Sequence, residues 1–359
     1  MIRSRQDKWI LTAWENKVVY DECILFAPDI HTRETAPCRL LFEPERILSV
    51  RSDYLNREYA EGIDYEVKDG CIVRLPGGSL PYFSFDESYP ETPASIAVDS
   101  VFVPGRYVRF ENAGIETHKR QIKVTYERRG GMPDFVRPIL DDLPVTKRKL
   151  QNKEDMHILF YGDSFMAGCD ASGASGIVPY MDTLDCLIVK SLAEFYDHPR
   201  IRFTNTAVGG TVSKWGLDCL NERVFQYNPD LVVIRFGMND GSTGVEPEEF
   251  SETMRSIACE ICKHNPDCEV IIMTSELPNP DCKGWTKEHD RYEAFLDAKI
   301  QDGNGVSKVR VMDFFKYICS VKGFSSITAN FINHPNDFMI RLYANLVASS
   351  LGAVIKEQN

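Results

Sequence analysis

Apolar and polar positions along the chain follow two different periods. From Trp9 to about Glu127 the apolar residues come in short runs: Lys17–Tyr20, Cys38–Phe42, Ile47–Val50, Cys71–Leu75, Val101–Val103, Tyr107–Phe110 and Gln121–Tyr126. Arg106–Phe110 and Ile122–Tyr126 alternate apolar with polar residues, the period of a half-buried antiparallel strand. Lys68-Asp-Gly70, Pro76-Gly-Gly78 and Asn112-Ala-Gly114 separate the runs and are turn or hairpin signals. Many short strands with few helical stretches predict a β-sandwich, jelly-roll-like in layout, over residues 1–130.

The pattern shifts at Arg128-Arg-Gly-Gly-Met-Pro133. Pro133, Pro138, Pro144 and the basic run Lys147-Arg-Lys149 mark a connector over 131–152, with the basic residues read as a solvated face. Beyond it, strand-like and helix-like runs alternate. The strand candidates are His157–Tyr161, Ile201–Asn205, Leu231–Phe236, Val270–Thr274 and Val309–Met312. Between and after them, four sets repeat at helical spacing. They are Leu184/Leu187/Ile188/Leu192/Phe195, Phe250/Met254/Ile257/Ile261, Tyr292/Phe295/Leu296/Ile300 and Phe338/Leu342/Leu346/Val347. Five strands with intervening helices predict an α/β domain with a doubly wound parallel sheet over residues 153–359.

Composition narrows the class. A chain of 359 residues exceeds what one core usually serves, which fits two domains. A formal charge of −12 argues against nucleic acid or an anionic membrane as partner. The amino terminus lacks an apolar core and a small-residue cleavage site, so no signal peptide is read and a cytoplasmic location is expected. Eleven scattered cysteines suggest reduced, mostly buried thiols. Cys259-Glu-Ile-Cys262 with Cys268 has helical periodicity and no second ligand pair, and reads as core thiols. No metal or cofactor is expected. Oligomeric state is not legible.

Candidate chemistry gathers at the carboxyl ends of the predicted parallel strands, where open α/β sheets place their ligands. The first strand runs into Gly162-Asp-Ser164, which alone reads as a turn, since Gly, Asp and Ser are the common turn residues. The second ends at Gly209-Gly210, whose backbone N–H groups can face a developing oxyanion; alone it is a tight βα turn. The third ends at Gly237-Met-Asn239-Asp240, where Asn239 offers an amide donor and Asp240 a helix cap. After the fifth comes Asn330-Phe-Ile-Asn-His334-Pro-Asn-Asp337. Acyl transfer to water needs a nucleophile, a base and oxyanion donors. Ser164, His334, Gly210 and Asn239 supply them from four loops on one edge of the sheet.

Together these blocks resemble the SGNH (GDSL-type) hydrolases, over about residues 155–351. The resemblance implies a five-stranded parallel αβα sandwich, with Ser164 as nucleophile and His334 as general base. It implies an oxyanion hole from the N–H groups of Ser164 and Gly210 (Gly209 being the alternative) and the Asn239 amide. Most of the family carry an Asp three residues before the catalytic His, where this chain has Phe331. A Ser–His dyad is therefore expected, with a main-chain carbonyl or Asn330 orienting His334, and with local roles for Asp163 and Asp337. A β-sandwich preceding such a domain looks like acetylxylan-esterase-type carbohydrate esterases. That likeness implies removal of O-acetyl groups from a small acylated carbohydrate. Trp215 and Trp285 are candidates to stack on a sugar, although packing is the commoner use of such residues. A lipase or thioesterase on longer acyl chains, and a carbohydrate-binding protein with a vestigial site, are the alternatives.

Overall fold

The computed structural model describes residues 6–93, 96–111 and 114–357. Residues 1–5, on which the leader reading rests, and Asn112-Ala113 of one turn signal lie outside the described residues.

The amino-terminal β unit holds two antiparallel sheets of three strands each. In one, β6 (Ile122–Arg129) lies between β1 (Val18–Ile24) and β3 (Glu43–Ser52). In the other, β5 (Cys71–Arg74) lies between β2 (Cys38–Arg39) and β4 (Tyr65–Lys68). The β4–β5 hairpin turns at Asp69 and Gly70, both at positive φ (52° and 75°), as a two-residue turn matched to strand twist requires. Two expected strands are absent. Val101–Val103 and Tyr107–Phe110 form a loop with single bridges, Asp99 to Tyr107 and Ser100 to Cys282. Their backbone donors are taken elsewhere: Val101 N–H reaches the Asp281 carbonyl at 2.9 Å and Phe102 N–H its carboxylate at 2.8 Å. The loop thereby clasps the carboxyl-terminal half instead of pairing as a strand.

The connector is partly a docked helix, Pro144–Asn152, with Thr146 and Leu150 buried. The Glu269 carboxylate accepts the N–H groups of Val145 and Thr146 at its amino end (2.8 and 2.7 Å). Its basic run is neutralised locally, Lys149 meeting Asp230 at 2.7 Å and Lys147 meeting Asp141 at 2.6 Å.

The carboxyl-terminal sheet has five parallel strands in the order β11-β10-β9-β7-β8. These are β7 (Met156–Gly162), β8 (Ile201–Asn205), β9 (Leu231–Arg235), β10 (Glu269–Met273) and β11 (Val306–Val309). Both faces of β7 are covered: Ile158 and Phe160 enter one core, Leu159 and Tyr161 the other. The last strand lies earlier than its apolar run suggested, and Met312 opens the helix Met312–Lys322. The strand lacks an apolar run of its own because it buries polar residues. Ser307 donates to Asp142 at 2.9 Å, and Lys308 pairs with Asp302 at 3.1 Å. One core joins the two halves, with Val50, Ile122, Val124 and Tyr126 of the β unit in the same cluster as Phe314, Phe338 and Leu342.

Candidate active site

The Ser164 turn is built by close approach of β7 and β9. A side chain at Gly162 would put Cβ 2.1 Å from the Arg235 carbonyl oxygen, so only glycine fits. The next residue, Asp163, is held by a buried ion pair to Arg235 at 2.7 Å, and Arg235 reaches Glu276 at 2.7 Å on its other side. Burial opposes the guanidinium charge, but these two carboxylates keep it firmly protonated. The Asp163 carboxylate also accepts the Phe165 N–H at 3.1 Å, the local turn role expected of it. Ser164 sits on this braced turn and is buried.

His334 comes to Ser164 from a turn after β11. Its Nε2 lies 2.9 Å from Ser164 Oγ. The turn is organised by Asn330, whose side-chain oxygen accepts the N–H groups of Ile332, Asn333 and His334, each at 3.0 Å. Thr328 Oγ1 bonds the His334 carbonyl at 3.0 Å. Asn336 caps the helix Asp337–Ser350 by accepting the Met339 N–H.

The expected orienter is corrected here. The Asn330 side chain is consumed by these three main-chain N–H groups and by Asn333 Oδ1, to which its amide donates at 3.2 Å, and does not hold the imidazole. The partner of His334 Nδ1 is a carboxylate, Asp170 Oδ2, at 2.7 Å. The arrangement is thus Ser–His–Asp in geometry, with the carboxylate supplied by the small-residue loop that follows Ser164. Phe331, in the position three residues before His334, has positive φ (67°) and packs edge-on against Phe83 of the β unit at 5.3 Å. Asp337 also does more than occupy a first helical turn. Fully buried, it pairs with Lys123 at 3.3 Å and accepts the Ser172 N–H at 2.9 Å.

Two further loops leave the carboxyl ends of β8 and β9. A side chain at Gly209 would place Cβ 3.6 Å from Ser164 Cβ, and Gly210 follows at φ 79°. Asn205, at the end of β8, ties this loop down: its amide donates to the Met166 carbonyl (2.8 Å) and Asp185 (2.9 Å). The Asn239 amide donates to the Thr211 carbonyl at 2.9 Å, which uses one of its two N–H groups. Asp240 locks the two loops together by accepting both the N–H and the hydroxyl of Ser213. Burial pushes the Asp240 carboxyl up to about 6, against the Ser213 bonds that favour its charged form. Trp215 is half-buried, its ring 6.0 Å from Tyr161 with the Arg223 guanidinium over it. Trp285, also half-buried, packs on a small cluster that includes Phe331 and Ile332.

Residues 160–339 match the GDSL-like Lipase/Acylhydrolase family, half of the chain. The chain belongs to this family. Among curated relatives of this GDSL-like chain, Esterase TesA of Pseudomonas aeruginosa is 33% identical over 122 residues, 34% of this chain and 55% of that protein. The Thioesterase 1/protease 1/lysophospholipase L1 of Escherichia coli is 31% identical over 74 residues, 21% of this chain and 35% of that protein. The chain spans about half, or less, of the length of these relatives. Among solved structures, a two-domain esterase active on acetylated mannans covers 61% of this chain and 55% of its own, with 19% identity and a TM-score of 0.47. An acetylxylan esterase from Geobacillus stearothermophilus covers 55% of this chain and 94% of its own, with 20% identity and a TM-score of 0.44. Among the described residues, no helix of this GDSL-like hydrolase is long and apolar enough to cross a membrane.

Proposed function

We propose that the protein is a serine esterase that removes short acyl groups, O-acetyl above all, from carbohydrate. The observation that carries the esterase chemistry is the continuous chain from Ser164 Oγ through His334 to Asp170, at 2.9 and 2.7 Å. In this reading His334 Nε2 takes the Ser164 proton as Oγ attacks the ester carbonyl. The Asp170 carboxylate accepts Nδ1–H, fixes the tautomer and stabilises the imidazolium that forms. The developing oxyanion is met by the N–H groups of Ser164 and Gly210, or Gly209, and by the second N–H of the Asn239 amide. His334 then protonates the leaving sugar hydroxyl. Water, deprotonated by the same imidazole, releases the acyl group and restores Ser164.

Two features support a neutral acetylated sugar as substrate. The net charge of −12 disfavours polyanionic acyl carriers such as nucleotide thioesters and phospholipids. Trp285 sits in the loop packed on the segment that leads into His334, a placement from which an indole can meet a sugar ring. The name of the Escherichia coli relative favours a second reading, a thioesterase or lysophospholipase, for which longer acyl chains would be the substrates. Acyl release from matched acetate, butyrate and octanoate esters, with acetylated xylo-oligosaccharide included, separates the two. Acetate release that improves on the sugar is expected. Preference for octanoate moves the assignment to the second reading, and no release from folded protein removes both.

A further inference from the structure

The Asp170 carboxylate serves His334, but Asp170 itself stands in an irregular loop with its backbone in the left-handed region (φ 65°), costly for a residue with a side chain. Something must hold it there. Its carbonyl oxygen lies 2.9 Å from Nε2 of His118, and His118 Nδ1 lies 2.8 Å from Asp53 Oδ2. Both neighbours of this imidazole are acceptors, a carbonyl and a carboxylate. Two bonds therefore require hydrogen on both ring nitrogens, which makes His118 an imidazolium. Burial works against that charge, and the Asp53 carboxylate outweighs it, lifting the imidazolium to about 9.

The charged groups facing His118 form one buried network. Lys123 Nζ lies 2.9 Å from Asp53 Oδ1 and 3.3 Å from Asp337 Oδ2, and Asp337 Oδ1 accepts the Ser172 N–H. Two carboxylates and two cations alternate, and they grip the Asp170 loop at residues 170 and 172. Asp53, His118 and Asp337 offer ligand atoms within 4.8 Å of one another, the spacing of a metal cluster. The Lys123 ammonium already bridges the two carboxylates, and both His118 nitrogens are engaged, so the charge balance needs no metal. His118, Asp53 and Lys123 all belong to the β unit: Asp53 follows β3, His118 lies on the helix Ile115–Arg120, and Lys123 is in β6.

We propose that His118 is a positioning residue for Asp170, donating an N–H from the amino-terminal β unit to the Asp170 carbonyl and so holding the carboxylate on His334. The β unit would then complete the acid–base site of the other half of the chain, beyond merely covering it. This inference rests on the reading of Asp170 as the partner of His334.

The test is steady-state hydrolysis of an activated acetate ester by single and double variants. His118→Leu, which removes the donor, is expected to lower kcat by about 10–100-fold with KM little changed, as loss of support for a reacting group does. His118→Gln, whose amide can donate to the same carbonyl, should recover most of that loss. In an Asp170→Asn background, His118→Leu should cost nothing further, because it acts through the carboxylate already removed. Multiplicative losses in the double variant, or a wild-type kcat in folded His118→Leu, overturn the proposal. If the leucine variant does not fold, nitrogen-15 NMR of histidine-labelled wild-type protein at pH 7 decides: a proton on His118 Nε2 is expected, and an unprotonated Nε2, which cannot donate to the Asp170 carbonyl, overturns the proposal. Wild-type turnover by Asp170→Asn would instead remove the reading on which the inference stands.

Discussion

Asp170 Oδ2 and His334 Nδ1 lie 2.7 Å apart although 164 residues separate them in the chain. The carboxylate comes from the loop that follows Ser164, and the segment before the histidine has another task. There Phe331 packs on Phe83 of the β unit, and Asn279 donates to the Phe331 carbonyl at 2.7 Å. The two arrangements belong together. The segment before His334 docks the β unit, and the β unit grips the loop that carries Asp170.

Asp170→Asn is expected to lower kcat by about 10²–10⁴-fold while leaving the thermal midpoint within a few degrees, because an amide can present Nδ1 with a donor and favour the wrong tautomer. Asn330→Ala should behave differently. It strips the acceptor from three main-chain N–H groups and should destabilise the fold by about 2–3 kcal/mol. Parallel kcat and melting measurements check the pair. A kcat loss for Asn330→Ala that matches Asp170→Asn, at an unchanged melting point, would return the orienting role to Asn330.

Ser164→Ala should abolish both ester turnover and labelling by a fluorophosphonate, with the fold intact. The hydroxyl makes its described bond to His334 and fills no core, so its loss leaves the Asp163–Arg235–Glu276 brace in place. Intact-mass spectrometry after labelling reads the result directly. Retained label at another residue would move the nucleophile away from Ser164.

The parallel sheet was legible because β7, β9 and β10 are buried on both faces and read as apolar runs that no surface element mimics. Ser164 and His334 were legible as loop residues at strand ends, and the structure brings them within hydrogen-bond reach. Strand β11 was misplaced because Ser307 and Lys308 are buried by pairing with Asp142 and Asp302, contacts that no local period encodes. Asp170 was missed for a related reason. Its only local signal is one acid in the small-residue stretch after Ser164, and what selects it is a carbonyl bond to His118 from a distant helix. Val101–Val103 has strand composition, but the donors of Val101 and Phe102 are captured by Asp281 in a loop far along the chain, and that of Val103 by Ser100 Oγ.

Gly162→Ala tests the approach of the two central strands. The added methyl would lie 2.1 Å from a main-chain oxygen and 3.0 Å from Met166 Cβ, so backbone has to move. Overpacking of this kind costs about 1–3 kcal/mol or more, and here the displaced atoms carry Ser164. Loss of activity together with a lower denaturant midpoint is expected. A variant with wild-type stability and rate would show that β7 and β9 can separate freely at this point.

Asp240 gives a pH signature opposite in sign to that of an ordinary ion-paired carboxylate. Its carboxyl is raised to about 6 by burial, above the value of about 3.9 expected in an unfolded chain. Between those two values the folded state binds more protons than the unfolded state. Stability from this group is therefore fully present below pH 4 and is lost as pH rises through 6. Asp240→Asn removes the titration and keeps an acceptor for Ser213. The difference in unfolding free energy, wild type minus variant, should increase as pH falls from about 7 to 4 and stay flat above 7. A flat difference throughout would mean that Asp240 keeps its charge when folded, and that the Ser213 bonds outweigh burial. Those same bonds hold the Gly209–Gly210 loop to the Asn239 loop. A fall in kcat for Asp240→Asn, with KM unchanged, would follow from loosening the proposed oxyanion donors and not from loss of a reacting group.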